Sequence, residues 1–262
     1  MIGIFDSGLG GLTALREAAH LLPGRDIVYF GDTGRVPYGT RSPETITRYA
    51  MQDMRFLCSH GVDIVLAACG TVSSTALGAI QNSFPLPVIG VVEGAALAAM
   101  RATKNKKIGV IATGATISSG AFPRAIGGAD ASIEVTAVAC PMLVPLVENG
   151  YIADDDPVTA LVLADYLAPI RAAGCDTLIL GCTHFPILAG AIARALPGVT
   201  LISSGAEAAK LLAAEVPPIR PDETGRIRCY VSDSVPGFAR LASIFLGEAI
   251  EVEVTQVDIE QY

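Results

Sequence analysis

Charge is scarce in this sequence. Only 17% of its 262 residues are charged against 51% hydrophobic, with a mean hydropathy of +0.50, and a chain of that composition buries a large core instead of staying disordered. The little charge present is skewed. Against 26 Asp and Glu stand 18 Lys and Arg, a formal net charge of −8, which leaves no basic surface for nucleic-acid phosphates or an anionic membrane. Unbroken apolar runs are also missing. The most apolar stretch, PVIGVVEGAALAAM, carries Glu93 and falls short of the roughly 18 residues that a spanning helix needs. The N-terminus, MIGIFDSGLGG, lacks the basic start of a signal peptide and becomes strand-like at once, which predicts a cytoplasmic protein. Thiols in that compartment stay reduced, so the six cysteines are predicted to be free.

Cofactor signatures are equally thin. No Cys-x2-Cys or His-x3-His spacing occurs, which argues against a metal site. Of the lysines, Lys104, Lys106 and Lys107 share a polar turn and Lys210 lies in a helical stretch, so none suits a buried Schiff base with pyridoxal phosphate. DSGLGG at 6–11 begins like a dinucleotide-binding turn, but Thr13 occupies the third glycine position and no Walker lysine pattern appears. The smaller expectation is a helix N-terminus that holds a carboxylate. The composition thus predicts no cofactor and a small-molecule partner.

What the chain does have is alternation. β-Branched runs at 1–5, 27–31, 62–68, 88–92, 107–112, 133–138, 176–181, 199–202, 227–231 and 251–257 read as strands, with Ala/Leu-rich helical stretches between them. That order predicts an α/β fold with parallel sheets. The acidic DDD at 154–156 before Pro157 reads as a helix start.

The pattern also repeats. GVDIVLAACGT at 61–71 matches GCDTLILGCTH at 174–184 at a constant offset, pairing Cys69 with Cys182, and IGIFDSG at 2–8 parallels IGVIATG at 108–114. Duplication of one α/β unit predicts two similar lobes facing each other. Ligands in such sheets bind beyond the carboxyl ends of the strands, where both cysteines lie, so a substrate in the cleft would meet one sulfur on each face. Two opposed acid/base groups can remove a proton from one face of a stereocentre and return one to the other. Thiols suit this work because their reference pKa of about 8.5 lets both protonation states exist near neutrality. Thr71, Thr183 and His184 place donors beside the two sulfurs. Cys58, Cys140, Cys175 and Cys229 read instead as small core residues, and His20 and His60 as surface histidines.

With these residues in view, the chain resembles the glutamate racemases of the Asp/Glu racemase superfamily. GIFDSGLGGLT, YFGDTGRVPYGTRSPETI, KKIGVIATGATISSG, CPMLVPLVENG and DTLILGCTHFP look like that family's blocks, in order and at similar spacing. The resemblance implies two pseudo-symmetric α/β domains across an active-site cleft, residues 1–96 with 210–262 and residues 97–209. It implies cofactor-independent interconversion of L- and D-glutamate, supplying D-glutamate for peptidoglycan; a homodimer is one candidate assembly, and dimers of that family come in more than one arrangement. By analogy Cys69 and Cys182 are the acid/base pair, assisted by Asp6, Glu148 and His184. Substrate-binding positions would be Asp6, Ser7, Tyr38, Gly39, Gly70, Thr71, Thr113, Thr116, Thr183 and His184.

Two departures stand out. The family's Asn after the first cysteine is Gly70 here, and its Pro after the VIE-type motif is Gly94. The expectation at Gly70 is that a water fills the volume of the missing amide, helped by Ser73 and Ser74, so that Gly70→Asn would tighten glutamate binding modestly. Alternative readings are an aspartate racemase or another isomerase of the superfamily, or a two-lobed amino-acid-binding protein, which would need no paired thiols.

Overall fold

The computed structural model describes residues 1–217, 225–247 and 252–262. Within them the strands are β1 (Ile2–Asp6), β2 (Ile27–Gly31), β3 (Ile64–Ala67), β4 (Val88–Gly90), β5 (Lys107–Ala112), β6 (Glu134–Ala139), β7 (Thr177–Leu180), β8 (Thr200–Ser203), β9 (Ile227–Val231) and β10 (Glu253–Gln256). Each falls on an expected strand, although the expected start of the last, residue 251, lies outside the described residues. β4 is shorter than its apolar run suggests. Val91 and Val92 already belong to the helix Val91–Ala102, and the Val91 N–H donates to Ser73 Oγ at 3.1 Å.

The strands form two sheets in which every pairing is parallel. One has the order β10-β9-β2-β1-β3-β4, the other β6-β5-β7-β8. Their central strands are buried on both faces, so they read as continuous apolar runs such as IGIFD and TLIL. We call each sheet with its helices a lobe. In the first lobe the chain runs from β1 to β2 on one side and then to β3 on the other, which makes the β1/β3 boundary a topological switch point. The second lobe repeats this with β5, β6 and β7. Ligands bind at such points beyond the strand ends.

Helices carry the chain between the sheets. Val91–Ala102 and Ser204–Glu215 pack on each other, and Leu12–Leu21 packs on Ser204–Glu215. Gly94 stands at the first crossing, where an added Cβ would lie 3.0 Å from Leu211 Cδ1 and 3.2 Å from the Glu207 carbonyl, so the glycine lets the helices close up. Pro157 opens the helix Pro157–Tyr166 as expected, with the Asp156 carboxylate accepting from the Thr159 N–H at 2.8 Å. His60 departs from its surface reading. It is half-buried, with its ring 4.5 Å from Phe56 and 4.8 Å from Tyr230. No helix among the described residues is long and apolar enough to cross a membrane.

Candidate active site

Both switch points open into one cavity of about 370 Å³ between the lobes. Ser7 and Gly8 reach it from the end of β1, Cys69, Gly70 and Thr71 from the end of β3, Thr113 and Gly114 from β5, and Gly181 to His184 from β7. Tyr38 and Gly39 form part of one wall, and Glu148 another. The two cysteines singled out by the repeat therefore face the same space from opposite lobes. All six cysteines are free; Cys140, Cys175 and Cys229 are buried core residues and Cys58 is half-buried.

The two sulfurs have different surroundings. Cys69 ends its strand in extended conformation (φ −67°, ψ 121°) and heads the short helix Gly70–Thr75. Its thiol donates to Ser7 Oγ at 3.3 Å. Burial, and after it the negative charge of nearby Asp6, push the Cys69 thiol up to about 12. Cys182 sits instead beside an imidazole, with its Sγ 3.9 Å from His184 Nδ1. His184 Nε2 lies 3.0 Å from Glu148 Oε1, and the ring stands edge-on to Phe245, centroids 5.2 Å apart. Burial alone would push the imidazole down. Hydrogen bonds to Cys182 and Glu148, with the attraction of both, outweigh it and carry His184 up to about 10. An imidazolium thus stands between sulfur and carboxylate at neutral pH, and it suits both proton donation and stabilisation of negative charge.

Asp6 and Thr116 are not among the residues that line the cavity. The Asp6 carboxylate lies behind it, fully buried, and accepts from the Gly8 N–H at 3.0 Å and from Thr183 Oγ1 at 3.5 Å. Burial pushes this carboxyl up, against the opposing effects of His184 and of the Gly11 and Gly8 N–H groups. The Gly8 and Gly11 N–H groups of the glycine-rich turn thus hold one carboxylate, that of Asp6. Thr116 is buried behind Thr113, and the hydroxyls of Thr71, Thr113 and Thr116 form a chain, 2.9 Å and 3.0 Å apart, that crosses from one lobe to the other.

Tyr38 borders the cavity, but its hydroxyl points away from it, donating to Asp32 and lying 3.3 Å from Asp53. Arg35 clamps both carboxylates, with Nε 2.7 Å from Asp32 and a terminal nitrogen 3.2 Å from Asp53. This buried network fixes the wall segment that carries Gly39.

At Gly70 the two lobes approach each other closely. Gly70 borders the cavity, and an added Cβ would collide with the backbone carbonyl oxygen of Gly181 in the other lobe. The backbone conformation is helical and needs no glycine; the close approach does.

The apolar part of the wall, Val36, Pro37, Pro141, Val144 and Pro145, was not anticipated. A signal for it existed. Val144 and Pro145 precede Glu148 by four and three residues on the helix Leu143–Glu148, so a functional Glu148 implies that they share its face.

Among the described residues, no group of three or more His, Cys, Asp or Glu could hold a metal ion.

Comparison with known proteins gives one family. The family model described as Asp/Glu/Hydantoin racemase matches residues 11–212. A glutamate racemase of Geobacter metallireducens is 43% identical over 264 residues, covering 99% of this chain and 97% of that protein. The crystal structure of a glutamate racemase from Bacillus anthracis superposes with a TM-score of 0.92 at 35% identity, covering 98% of each chain. That of the Francisella tularensis glutamate racemase in complex with D-glutamate does so with a TM-score of 0.92 at 34% identity, covering 100% of this chain and 98% of that one. With the family model spanning most of its length and such identity to a relative of equal extent, this chain belongs to the Asp/Glu/hydantoin racemases, in the glutamate racemase family.

Proposed function

We propose that this enzyme interconverts L- and D-glutamate without a cofactor, using Cys69 and Cys182 as its two acid/base groups. The observation that carries this reading is the placement of one sulfur at each of the two opposed switch points, on a single cavity. With the substrate Cα between them, a thiolate on one face takes the α-proton and the electron pair delocalises into the α-carboxyl group. The thiol on the other face then donates its proton to Cα. The sulfurs exchange charge states, so the enzyme ends ready for the reverse reaction.

The surroundings of Cys69 support an order for the two proton transfers. Burial and Asp6 hold Cys69 as the thiol, which leaves Cys182, with its Sγ 3.9 Å from His184 Nδ1, as the first base in the two-base reading. From rest, Cys182 therefore takes the first proton, from the enantiomer whose α-hydrogen faces it. Ser7, Thr71, Thr113 and Thr183, with the backbone N–H groups around Gly39, Gly70 and His184, are the donors for the substrate carboxylates. Residues 1–96 with 210–262 and residues 97–209 form the two domains that close on the substrate. The product supplies peptidoglycan synthesis in the cytoplasm.

The test is L-glutamate in D2O with no added cofactor, followed by NMR and optical rotation. Cα–H signal and rotation should decay together, and EDTA should change neither. Retention of both in the active preparation, or loss on chelation restored by zinc, would overturn the reading. Faster turnover of aspartate would support the superfamily alternative.

The His184–Glu148 pair makes a separate prediction for Glu148→Gln. Removing the carboxylate charge lowers the His184 pKa. Activity that needs the imidazolium is lost as pH rises through that pKa, so the basic limb of kcat against pH should move down by about one unit. A limb that stays in place would remove His184 from the proton inventory.

A further inference from the structure

Thr13, the residue that spoils the dinucleotide motif, is the second residue of the helix Leu12–Leu21 that follows the glycine-rich turn, and it has no role so far. It is 3% exposed, and its hydroxyl lies 2.8 Å from the Gly10 carbonyl and 2.9 Å from the Thr183 carbonyl. The Gly10 carbonyl already accepts from the Thr13 N–H at 3.0 Å, which leaves the single hydroxyl proton for the second contact. The second spans the two lobes and lands between Cys182 and His184.

The Thr183 carbonyl has a reason to need that donor. Along the turn that follows Cys182, the Phe185 N–H donates to the Cys182 carbonyl at 3.1 Å and the Ile187 N–H to the His184 carbonyl at 3.1 Å. The same pattern would give the Thr183 carbonyl to residue 186, which is proline and has no N–H. A buried carbonyl without a partner is costly, and Thr13 supplies one from the other lobe. The turn is shaped to bring it there. A Cβ on Gly10 would collide with Thr183 Oγ1 and the His184 ring, so only glycine lets the turn seat against this segment.

We infer that Thr13 is a positioning residue, whose hydroxyl holds the Cys182–His184 segment in place against the first lobe and so sets Cys182 opposite Cys69. The inference rests on the two-cysteine reading above. Loss of the hydroxyl should act on the proton transfer at Cys182 and leave that at Cys69 nearly unchanged.

Thr13→Val keeps the branched shape and removes the donor, and Thr13→Ser keeps the donor. For Thr13→Val, kcat should fall about tenfold, the effect of one lost buried hydrogen bond, with KM within about threefold of wild type and Thr13→Ser close to wild type. The discriminating readout is the primary isotope effect on kcat/KM with α-deuterated L- and D-glutamate. In Thr13→Val it should grow for the enantiomer deprotonated by Cys182 and shrink for the other. A merely structural loss would leave the two isotope effects where they were.

Alkylation by iodoacetamide, resolved by mass spectrometry, is independent of turnover. The Cys182 rate should change several-fold in Thr13→Val while the Cys69 rate holds, a result that can be obtained even where wild type fails to racemise glutamate and the two-cysteine reading falls. If Thr13→Val does not fold, Thr13→Ala takes its place in both measurements. Full activity without the hydroxyl, symmetric isotope effects, or an unchanged ratio of the two alkylation rates would each overturn the inference.

Discussion

Cys69→Ser and Cys182→Ser are each expected to lower net racemisation of glutamate by at least about 10³-fold, within the range attributed to a positioned acid/base group. A serine hydroxyl fills almost the same space, so cavity shape and substrate binding should persist, but it is too weak a base near neutrality to take an α-proton. The two variants should fail differently. Cys69→Ser retains the Cys182, His184 and Glu148 arrangement, and should still exchange the α-hydrogen of the one enantiomer that faces Cys182. Cys182→Ser leaves a sulfur that burial and Asp6 hold as the thiol, so its exchange should be confined to the other enantiomer and be slower at neutral pH. NMR of L- and D-glutamate in D2O, run separately with each variant, measures both effects. Racemisation near the wild-type rate by either variant would exclude the two-base mechanism, and exchange of the same enantiomer by both would exclude the assignment of one sulfur to each face.

The backbone scaffold of this site was legible in the chain because parallel strands buried on both faces are β-branched runs with sharp ends. The ends of β3 and β7 put Cys69 and Cys182 where the repeat predicts them. Val91 and Val92 misled for the same reason. Their β-branched side chains are equally at home in a buried helix, and only the neighbouring Ser73 hydroxyl reveals that the helix begins there. Depth within the site was much less legible. Asp6 and Thr116 occupy motif positions beside cavity residues, yet they lie behind Thr183 and Thr113, because adjacent residues at a strand end or first helical turn point in different directions. The Tyr38 hydroxyl turns to Asp32 and Asp53, partners brought from a loop and a helix that local sequence does not connect. Contacts between the lobes are the hardest class of all. Nothing in CGT or GCTH shows that Gly70 and Gly181 meet backbone to side.

That meeting determines the second large effect. Gly70→Asn, which restores the residue implied by the family resemblance, should lower kcat/KM by about 10²-fold, the cost of displacing reacting groups by about 1 Å. An added Cβ collides with the carbonyl oxygen of Gly181, immediately before Cys182, and a backbone oxygen cannot swing aside as a flexible side chain would. Relief requires the end of β7 to move away from the helix Gly70–Thr75, which widens the gap between the sulfurs carried by the two neighbouring residues, Cys69 and Cys182. This chain closes the contact between its lobes with two glycines, Gly70 and Gly181. Gly70→Ala separates the effects. It brings the Cβ without any hydrogen-bonding group, so most of the loss should already appear in alanine, and the amide of Asn should recover little. The backbone at Gly70 is helical and the strain falls on one contact between the lobes, so the melting temperature should fall by only a few degrees, far less in proportion than activity. Steady-state kinetics and thermal unfolding of the two variants provide the check. If Gly70→Asn matches or exceeds wild type, the lobes separate at no cost and the glycine contact does not set the distance between the sulfurs.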